Sequence, residues 1–373
     1  MDLTANRGAV TTTARARGMP AALTLLAATV ISLVGLTWDI QWHNDVGPDT
    51  FFTLPHLFLY SGSAIAGFVS LGVVLATTAA QRAGRAVDPI VGGRAIRTLG
   101  VFAAPAGYLL SGAGAASFLI YGLWDQWWHG LYGFDAVINS PPHIGLLLSA
   151  TVTMAGTIMV FAAARSERWG RIGTLGALAI LLTFSMVTVL GLKDLDGTVS
   201  WTNAASGFLS VLLVMVGAGF LGRPGGAVGT AIMVGVIQLA FWWFSPWAAR
   251  AYAGAVGLPM RDYVFVVPVL PARVPMCLIV VALLIEGALV RGRASRWAPV
   301  LAGALGSLVV AVCAAFQSAW IYAGPGPRLM EEVTTGVAGA VLGLLAGFLG
   351  WRFGRMLRLV SPPRPGELEG EAA

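Results

Sequence analysis

The sequence predicts an all-α protein, a polytopic transmembrane helical bundle of about ten spans with both the N- and the C-terminus in the cytoplasm. Three observations lead to this prediction: the composition, the length of the apolar runs and the distribution of the arginines. Hydrophobic residues make up 57% of the 373 residues and charged residues 11%, and the mean hydropathy is +0.78. A soluble domain of this length cannot bury so large an apolar fraction, so we expect the chain to lie in a lipid bilayer.

Apolar runs long enough to cross a membrane occur ten times along the chain. A helix of about 20 residues crosses a hydrocarbon core of ~30 Å, because each residue adds ~1.5 Å. The runs lie at 19–39, 54–78, 98–123, 141–164, 172–192, 204–222, 226–248, 274–290, 298–322 and 333–351.

The basic residues set the predicted orientation. With a cytoplasmic N-terminus and ten spans, 18 of the 23 Lys and Arg residues fall on the cytoplasmic side and five fall outside. This excess follows the positive-inside rule and supports the predicted orientation. We expect a multi-pass protein of the bacterial inner membrane. The arginines are spread over every inner loop, so the net charge of +6 is a topology signal and does not indicate nucleic-acid binding.

All four histidines lie in two copies of one pattern, in which an aspartate is followed by a histidine four residues later and by a second histidine after a short loop. The two sets are Asp39, His43 and His56, then Asp125, His129 and His143. A carboxylate and an imidazole four residues apart lie on the same side of a helix. The second histidine follows a proline, which suits the first turn of the next helix.

The repeated pattern also divides the chain. The first two positions of the pattern are offset by 86 residues between the copies and the last by 87. We therefore expect a cytoplasmic tail at 1–18, duplicated two-helix units carrying the histidine boxes at 19–165, a six-span region at 166–358 and a disordered tail at 359–373. Both boxes should lie at the non-cytoplasmic face.

Two histidines and one aspartate form a ligand set that copper, zinc or iron(II) accepts, and such a set leaves coordination positions open for chemistry. A bound cation would also offset the ~2–3 kcal/mol that each aspartate costs near hydrocarbon. The sequence therefore predicts two metal sites. A plainer interpretation, that these are interfacial residues capping helix ends, does not explain why both copies match at all three positions.

Four further residues are candidates for an outer role around the ligands. Asp49 and Asp135 each follow the helical histidine by six residues and can orient a ligand imidazole, or can be turn residues. Trp42 and Trp128 directly precede His43 and His129 and are candidates for the same outer role. An aromatic belt at the level of the lipid headgroups also fits the tryptophans of the boxes, which are Trp38, Trp42, Trp124, Trp127 and Trp128.

One acidic residue of the C-terminal spans lies close to their inner ends. Glu286 falls late in the eighth run, near several arginines. We expect its side chain to reach the interface or to pair with one of those arginines.

The first box resembles the metal-binding segment of the C subunit of copper membrane monooxygenases, the family of particulate methane monooxygenase and ammonia monooxygenase. The shared features are the aspartate, the histidine four residues later, the pair Asp49–Thr50 and the second histidine at the 13-residue distance. The family also has a Phe-Thr-Pro stretch, which Phe52-Thr53-Leu54-Pro55 resembles here. The resemblance implies that Asp39, His43 and His56 form a copper site.

The second box is similar to another proposed copper site of that subunit, except that Asp125 stands where the family has asparagine. The resemblance covers residues 30–150 and not the six C-terminal spans. It implies copper as the cofactor, a reductant such as a quinol, and dioxygen-dependent hydroxylation of a small apolar substrate or ammonia. It also implies A- and B-like partner subunits, although a homo-oligomer is the alternative.

Two other functions fit the same residues. One is an outer-face protein that binds or transfers copper or zinc and has no oxygenase activity. The other is a non-haem iron oxygenase, since two histidines and a carboxylate are its usual ligands. A copper-dependent membrane monooxygenase, or a subunit of one, is the preferred interpretation. The sequence does not identify the catalytic residues, and the metal sites are the preferred candidates.

Overall fold

A computed structural model describes residues 18–133, 138–262, 264, 267–292 and 295–360. The described chain consists of ten α-helices and one pair of short strands. The helices are α1 (Met19–Asp45), α2 (Leu54–Arg82), α3 (Ala106–Tyr132), α4 (Pro141–Ala163), α5 (Arg168–Thr188), α6 (Trp201–Leu221), α7 (Gly226–Val256), α8 (Leu278–Arg291), α9 (Ala298–Ile321) and α10 (Leu329–Leu357). The fold is all-α, as predicted.

All ten helical spans are long and apolar enough to cross a membrane, which confirms the predicted number. Two of the spans include a 3₁₀ turn: Val189–Leu195 follows α5, and Pro271–Arg273 precedes α8, whose α-helix of 14 residues is too short to cross alone. The protein is therefore a multi-pass membrane protein. The tails predicted at 1–18 and 359–373 lie outside the described residues, except for residues 18, 359 and 360.

The third span begins later than predicted, because an antiparallel hairpin precedes it. Strands β1 (Ala95–Thr98) and β2 (Phe102–Pro105) pair with each other, and α3 starts directly after Pro105. The backbone N–H of Ala103 donates to the hydroxyl of Thr78 on α2 over 2.9 Å. This bond fixes the hairpin against the end of α2.

Helices α5 and α6 are the most buried spans and form the centre of the bundle. Their hydroxyl groups bond within their own helix: Thr174 donates to the Gly170 carbonyl over 2.8 Å, and Thr183 donates to the Ala179 carbonyl over 3.0 Å. Polar groups satisfied in this way can lie in a lipid-embedded core.

Helix α7 packs against α1 and so joins the C-terminal helices to the first histidine box. The hydroxyls of Thr37 and Ser245 are 3.0 Å apart, and the Trp38 ring meets the rings of Phe244 and Tyr252 edge-on. Trp38 is 7% exposed and Trp42 is 1% exposed. The prediction of an aromatic belt is wrong for these two tryptophans, because both are buried between helices.

At the opposite end of the bundle, Glu286 of α8 binds the first turn of α7. Its carboxylate accepts the backbone N–H groups of Gly225, Ala227 and Val228 at 2.9–3.2 Å. Of the two expectations for Glu286, pairing with an arginine is not found among the described residues, since the carboxylate binds backbone N–H groups instead. Carboxylates stabilise helix N-termini because the N–H groups there have no partner within the helix.

Candidate metal centre

The first box lies where α1 ends and α2 begins. Asp39 and His43 lie in the last turns of α1, and His56 lies in the first turn of α2, after Pro55. Helix α1 continues to Asp45, so the Asp39 carboxylate lies about 9 Å inside the end of the helix. The three predicted ligands are brought together by this single helix hairpin.

A fourth side chain joins them. The Nε2 atom of His56 is 3.0 Å from Asp39 Oδ1 and 3.2 Å from Asp49 Oδ2. The Nε2 atom of His43 is 3.0 Å from Asp49 Oδ2 and 3.8 Å from Asp39 Oδ1. Asp49 was expected in an outer role, but its carboxylate is within 4.8 Å of the other three ligand atoms. We call these four residues cluster 1.

The loop between α1 and α2 places Asp49 in cluster 1. The indole Nε1 of Trp42 donates to the Pro48 carbonyl over 2.8 Å, and the Thr50 N–H donates to the Thr53 hydroxyl over 2.7 Å. These two bonds fix the backbone on either side of Asp49. Trp42 therefore positions the loop and does not itself line the cluster.

The same loop orients one imidazole. Nδ1 of His56 is 2.9 Å from the Thr50 carbonyl. A carbonyl can only accept, so Nδ1 carries the proton, and the neutral ring presents the lone pair of Nε2 to the cluster. Histidines that bind metals in proteins almost always have such a partner on the second nitrogen.

The second box is built in the same way at the end of α3 and the start of α4. One oxygen of Asp125 is 3.4 Å from Nε2 of His129, and its other oxygen is 3.4 Å from Nε2 of His143. Nδ1 of His129 is 3.2 Å from the Gly133 carbonyl, so this ring also directs Nε2 inward. We call these three residues cluster 2. Asp135 lies outside the described residues.

Trp128, the counterpart of Trp42, has a different environment. Its ring packs against Trp124 and Tyr132 on the same helix, with ring centroids 6.4 and 4.4 Å away. Trp124 is 37% exposed and Trp127 is 57% exposed. These tryptophans of α3 have the exposure expected of an aromatic belt.

The spacing within both clusters fits a metal ion. In a tetrahedral site with ligands at ~2.0–2.1 Å from the metal, neighbouring ligand atoms are about 3.3 Å apart. The carboxylate–imidazole distances are 3.0–3.8 Å in cluster 1 and 3.4 Å in cluster 2. Oδ1 of Asp39 and of Asp125 is buried, yet neither accepts a hydrogen bond of normal geometry from any described residue. A cation held among the ligand atoms of each cluster would give these buried oxygens a partner.

The charges lead to the same conclusion. Cluster 1 combines two carboxylates with two imidazoles, and its formal charge is −2 when both rings are neutral. Cluster 2 carries one carboxylate. No Lys or Arg is found among the described residues that line the space around the clusters. A divalent cation balances cluster 1, whereas protons on the two imidazoles are the alternative source of positive charge.

Both clusters line one cavity of about 320 Å³. The remaining walls are mainly apolar and come from α1 to α5 and the 3₁₀ turn after α5; they include Leu36, Leu59, Phe118, Leu146, Leu147, Ala150, Phe184, Val187 and Leu190, with the Tyr60 ring beside His56. The sequence predicted two sites but not that they share a cavity.

Cluster 1 also receives support from α7 and the segment after it, which the sequence did not predict. The Tyr252 hydroxyl accepts the Leu54 N–H over 3.3 Å, and the Arg261 N–H donates to the Asp45 carbonyl over 2.8 Å. Nε of Arg261 donates to the Val46 carbonyl over 3.2 Å. No local sequence signal could have found these contacts, because about 200 residues separate the partners.

Comparisons with protein-family models, with curated proteins and with solved structures found no match to this chain. Any function of this chain is therefore inferred from the geometry of the two clusters and from the resemblance of the first box.

Proposed function

We propose that this protein is a copper-binding integral membrane protein that takes part in the dioxygen-dependent hydroxylation of a small apolar substrate or ammonia. The observation that carries the proposal is the single cavity lined by both histidine clusters. A cavity of this kind brings two metal sites, a gas and a small substrate into one place.

The geometry of the two clusters supports a choice of metal ligands. Asp39, His43 and His56, with Asp49 as a fourth ligand, would hold one ion, and Asp125, His129 and His143 would hold the other. Imidazole and carboxylate ligands suit copper(II), zinc and iron(II) alike. Copper is preferred because the spacing of the first box resembles that of the copper membrane monooxygenases.

The residues of the chain have three functions in this proposal. The backbone carbonyls of Thr50 and Gly133 hold His56 and His129 in the tautomer that binds metal. The carboxylates supply the negative charge that a cation needs near hydrocarbon. The apolar walls exclude water, which strengthens electrostatic interactions inside the cavity.

Bound copper would supply the electron transfer that dioxygen requires, with one oxygen atom inserted into a C–H or N–H bond and the other released as water. Two electrons and two protons from a reductant such as a quinol balance this reaction. The cavity of about 320 Å³ is at the low end of the ~300–1,000 Å³ typical of small-molecule sites. After two metal ions are placed, only a small molecule fits.

The arginine distribution supports a position for the clusters at the non-cytoplasmic face of the bacterial inner membrane. Helices α1 and α3 end at the clusters. The loops that are predicted to face the cytoplasm lie at the opposite end of the bundle. A- and B-like subunits are the partners that the resemblance suggests, with a homo-oligomer as the alternative.

A non-haem iron oxygenase is the second candidate, and one observation favours it. Cluster 2 consists of two histidines and one carboxylate. This is the ligand set of iron(II) oxygenases, which keep open coordination positions.

Metal analysis combined with EPR on detergent-purified protein tests the proposal. We expect two copper ions per wild-type chain, and the loss of one in His56→Ala and of the other in His143→Ala. Gln126→Ala is the matched control, because Gln126 is an exposed residue of the second box. Metal content that is indifferent to both histidine substitutions contradicts the metal sites.

Dioxygen uptake with a quinol then tests the oxygenase part. Substrate-dependent uptake that is lost in the histidine variants supports it. Two bound coppers without any uptake would instead identify a protein that binds or transfers copper, and iron in place of copper would favour the second candidate.

A further inference from the structure

A second and larger cavity, of about 1020 Å³, lies at the end of the bundle away from the histidine clusters. It is formed where α6, α8 and α10 end and where α7 and α9 begin. Four arginines line it, namely Arg223, Arg296, Arg352 and Arg355, and Glu286 is the only acidic residue among the described residues of the lining. None of these residues takes part in the proposed oxidation chemistry.

The single carboxylate does not neutralise the arginines. Glu286 is bound to the N–H groups of Gly225, Ala227 and Val228, as described above. Within the part of the chain that the structure describes, none of the four arginines forms an ion pair. Nearby Arg358 differs from them, because its guanidinium donates to the carbonyls that end α6. The cavity therefore has an excess of positive charge.

Aromatic rings hold two of the guanidinium groups in place. The guanidinium carbon of Arg296 is 5.4 Å from the centre of the Trp297 ring, and that of Arg352 is 4.8 Å from the centre of the Phe348 ring. Guanidinium groups stack well on aromatic faces. A stacked guanidinium can still donate two N–H groups to the oxygens of one phosphate. Such ordering lowers the entropy lost when an anion binds.

The cavity is also open to the lipid-facing surface. Trp297 is 56% exposed, Phe348 43% and Val290 43%, and all three line the cavity in a chain that crosses the membrane. A ligand held here can therefore place a charged group among the arginines and apolar chains along α8, α9 and α10. A water-soluble anion would use only the first of these features.

We infer that this cavity binds the anionic phosphodiester headgroup of a membrane phospholipid, with its acyl chains on the adjacent helix surface. Basic pockets between membrane helices on the cytoplasmic side are suited to acidic lipid headgroups. Arginine is the side chain best matched to phosphate oxygens, since it donates two parallel N–H bonds. The cavity is larger than one phosphate requires and accommodates the glycerol of the headgroup.

The test uses full-length protein in a non-ionic detergent, titrated calorimetrically with three probes. These are dioctanoylphosphatidylglycerol, which is anionic, dioctanoylphosphatidylcholine, which is zwitterionic, and glycerol 3-phosphate, which has no acyl chains. We expect the anionic lipid to bind at least tenfold more tightly than either of the others. This comparison needs only the wild-type protein, so it does not depend on the folding of a variant.

A triple variant locates the site. Arg296→Gln, Arg352→Gln and Arg355→Gln together should weaken binding of the anionic lipid by about 100-fold, roughly fivefold for each arginine. The matched control replaces Arg85, Arg94 and Arg168 by glutamine, because these exposed arginines lie at the same end of the bundle outside the cavity. The control should change binding by less than twofold.

Three results would overturn the inference. The first is equal binding of the anionic and zwitterionic lipids. The second is glycerol 3-phosphate binding as tightly as the anionic lipid, which would indicate a site for a soluble phosphate. The third is an equal loss in both triple variants, which would show only a diffuse attraction to the inner surface.

Discussion

The two histidine hairpins share their ligand spacing and differ in what surrounds them. In the first, Trp38 and Trp42 of α1 are buried against α7, and the loop that carries Asp49 is bound on both sides. In the second, α3 packs on α2 and α4, and Trp124 and Trp127 are exposed. The spacing thus determines which residues meet, whereas the neighbouring helices determine how firmly they are held.

The interiors of the hairpins show the same contrast. At one level of the first hairpin, Gly35 of α1 faces Phe58 of α2; at the equivalent level of the second, Tyr121 of α3 faces Gly145 of α4. The offsets, 86 and 87 residues, are those of the histidine boxes. A Cβ added at Gly35 would be 2.8 Å from the Pro55 carbonyl oxygen, and one at Gly145 would be 2.2 Å from the Tyr121 ring. At this level each hairpin has one glycine where its helices approach closely, and the two glycines lie on opposite helices of their hairpins.

Replacing Asp49 should have the largest effect on this comparison. Asp49→Ala removes a carboxylate that lies 3.0 Å from His43 Nε2 and halves the formal charge of cluster 1. Replacing a residue that only orients a metal ligand weakens metal binding about 10–100-fold. Replacing a ligand itself should therefore weaken metal binding by more than about 100-fold. Metal titration followed by EPR should show the change at the first site only.

Asp49→Asn is the matched control, since it keeps an oxygen and removes the charge, and it should give an intermediate affinity. If Asp49→Ala leaves the affinity of both sites unchanged, Asp49 is a turn residue and the difference between the clusters disappears.

The two equivalent tryptophans should respond differently. Trp42→Phe removes the N–H that donates to the Pro48 carbonyl and so loosens the loop before Asp49. We expect the metal affinity of the first site to fall about tenfold, as for other residues that position ligands. Trp128→Phe should leave the second site within twofold of wild type, and the same metal titration measures both. An equal loss in the two variants would show that the tryptophans do not differ in role.

Removing the hydroxyl of Tyr252 should have the smallest effect. Tyr252→Phe deletes the acceptor of the Leu54 N–H and keeps the ring packed on Trp38 and Trp42. One hydrogen bond in a membrane protein contributes about 1 kcal/mol or less. Thermal unfolding in detergent should show a small loss of stability, together with a small loss of affinity at the first site. A loss at the second site instead would contradict the proposed support by α7.

The sequence predicted those features that depend on local spacing. Hydropathy identified the ten spans, and the four-residue spacing placed Asp39 beside His43 and Asp125 beside His129. The inclusion of Asp49 was not predictable, because it depends on the turn at Thr50. The burial of Trp38 and the single cavity were not predictable either, since both result from contacts between helices that are distant in the sequence.

The most direct test of the central claim is the magnetic interaction between the two sites. Protein loaded with copper(II) at both clusters should give an EPR spectrum broadened by dipolar coupling, because both clusters line one cavity of about 320 Å³. The broadening should disappear in His143→Ala, which retains only the first site. A doubly loaded spectrum that equals the sum of the two single-site spectra would contradict the account.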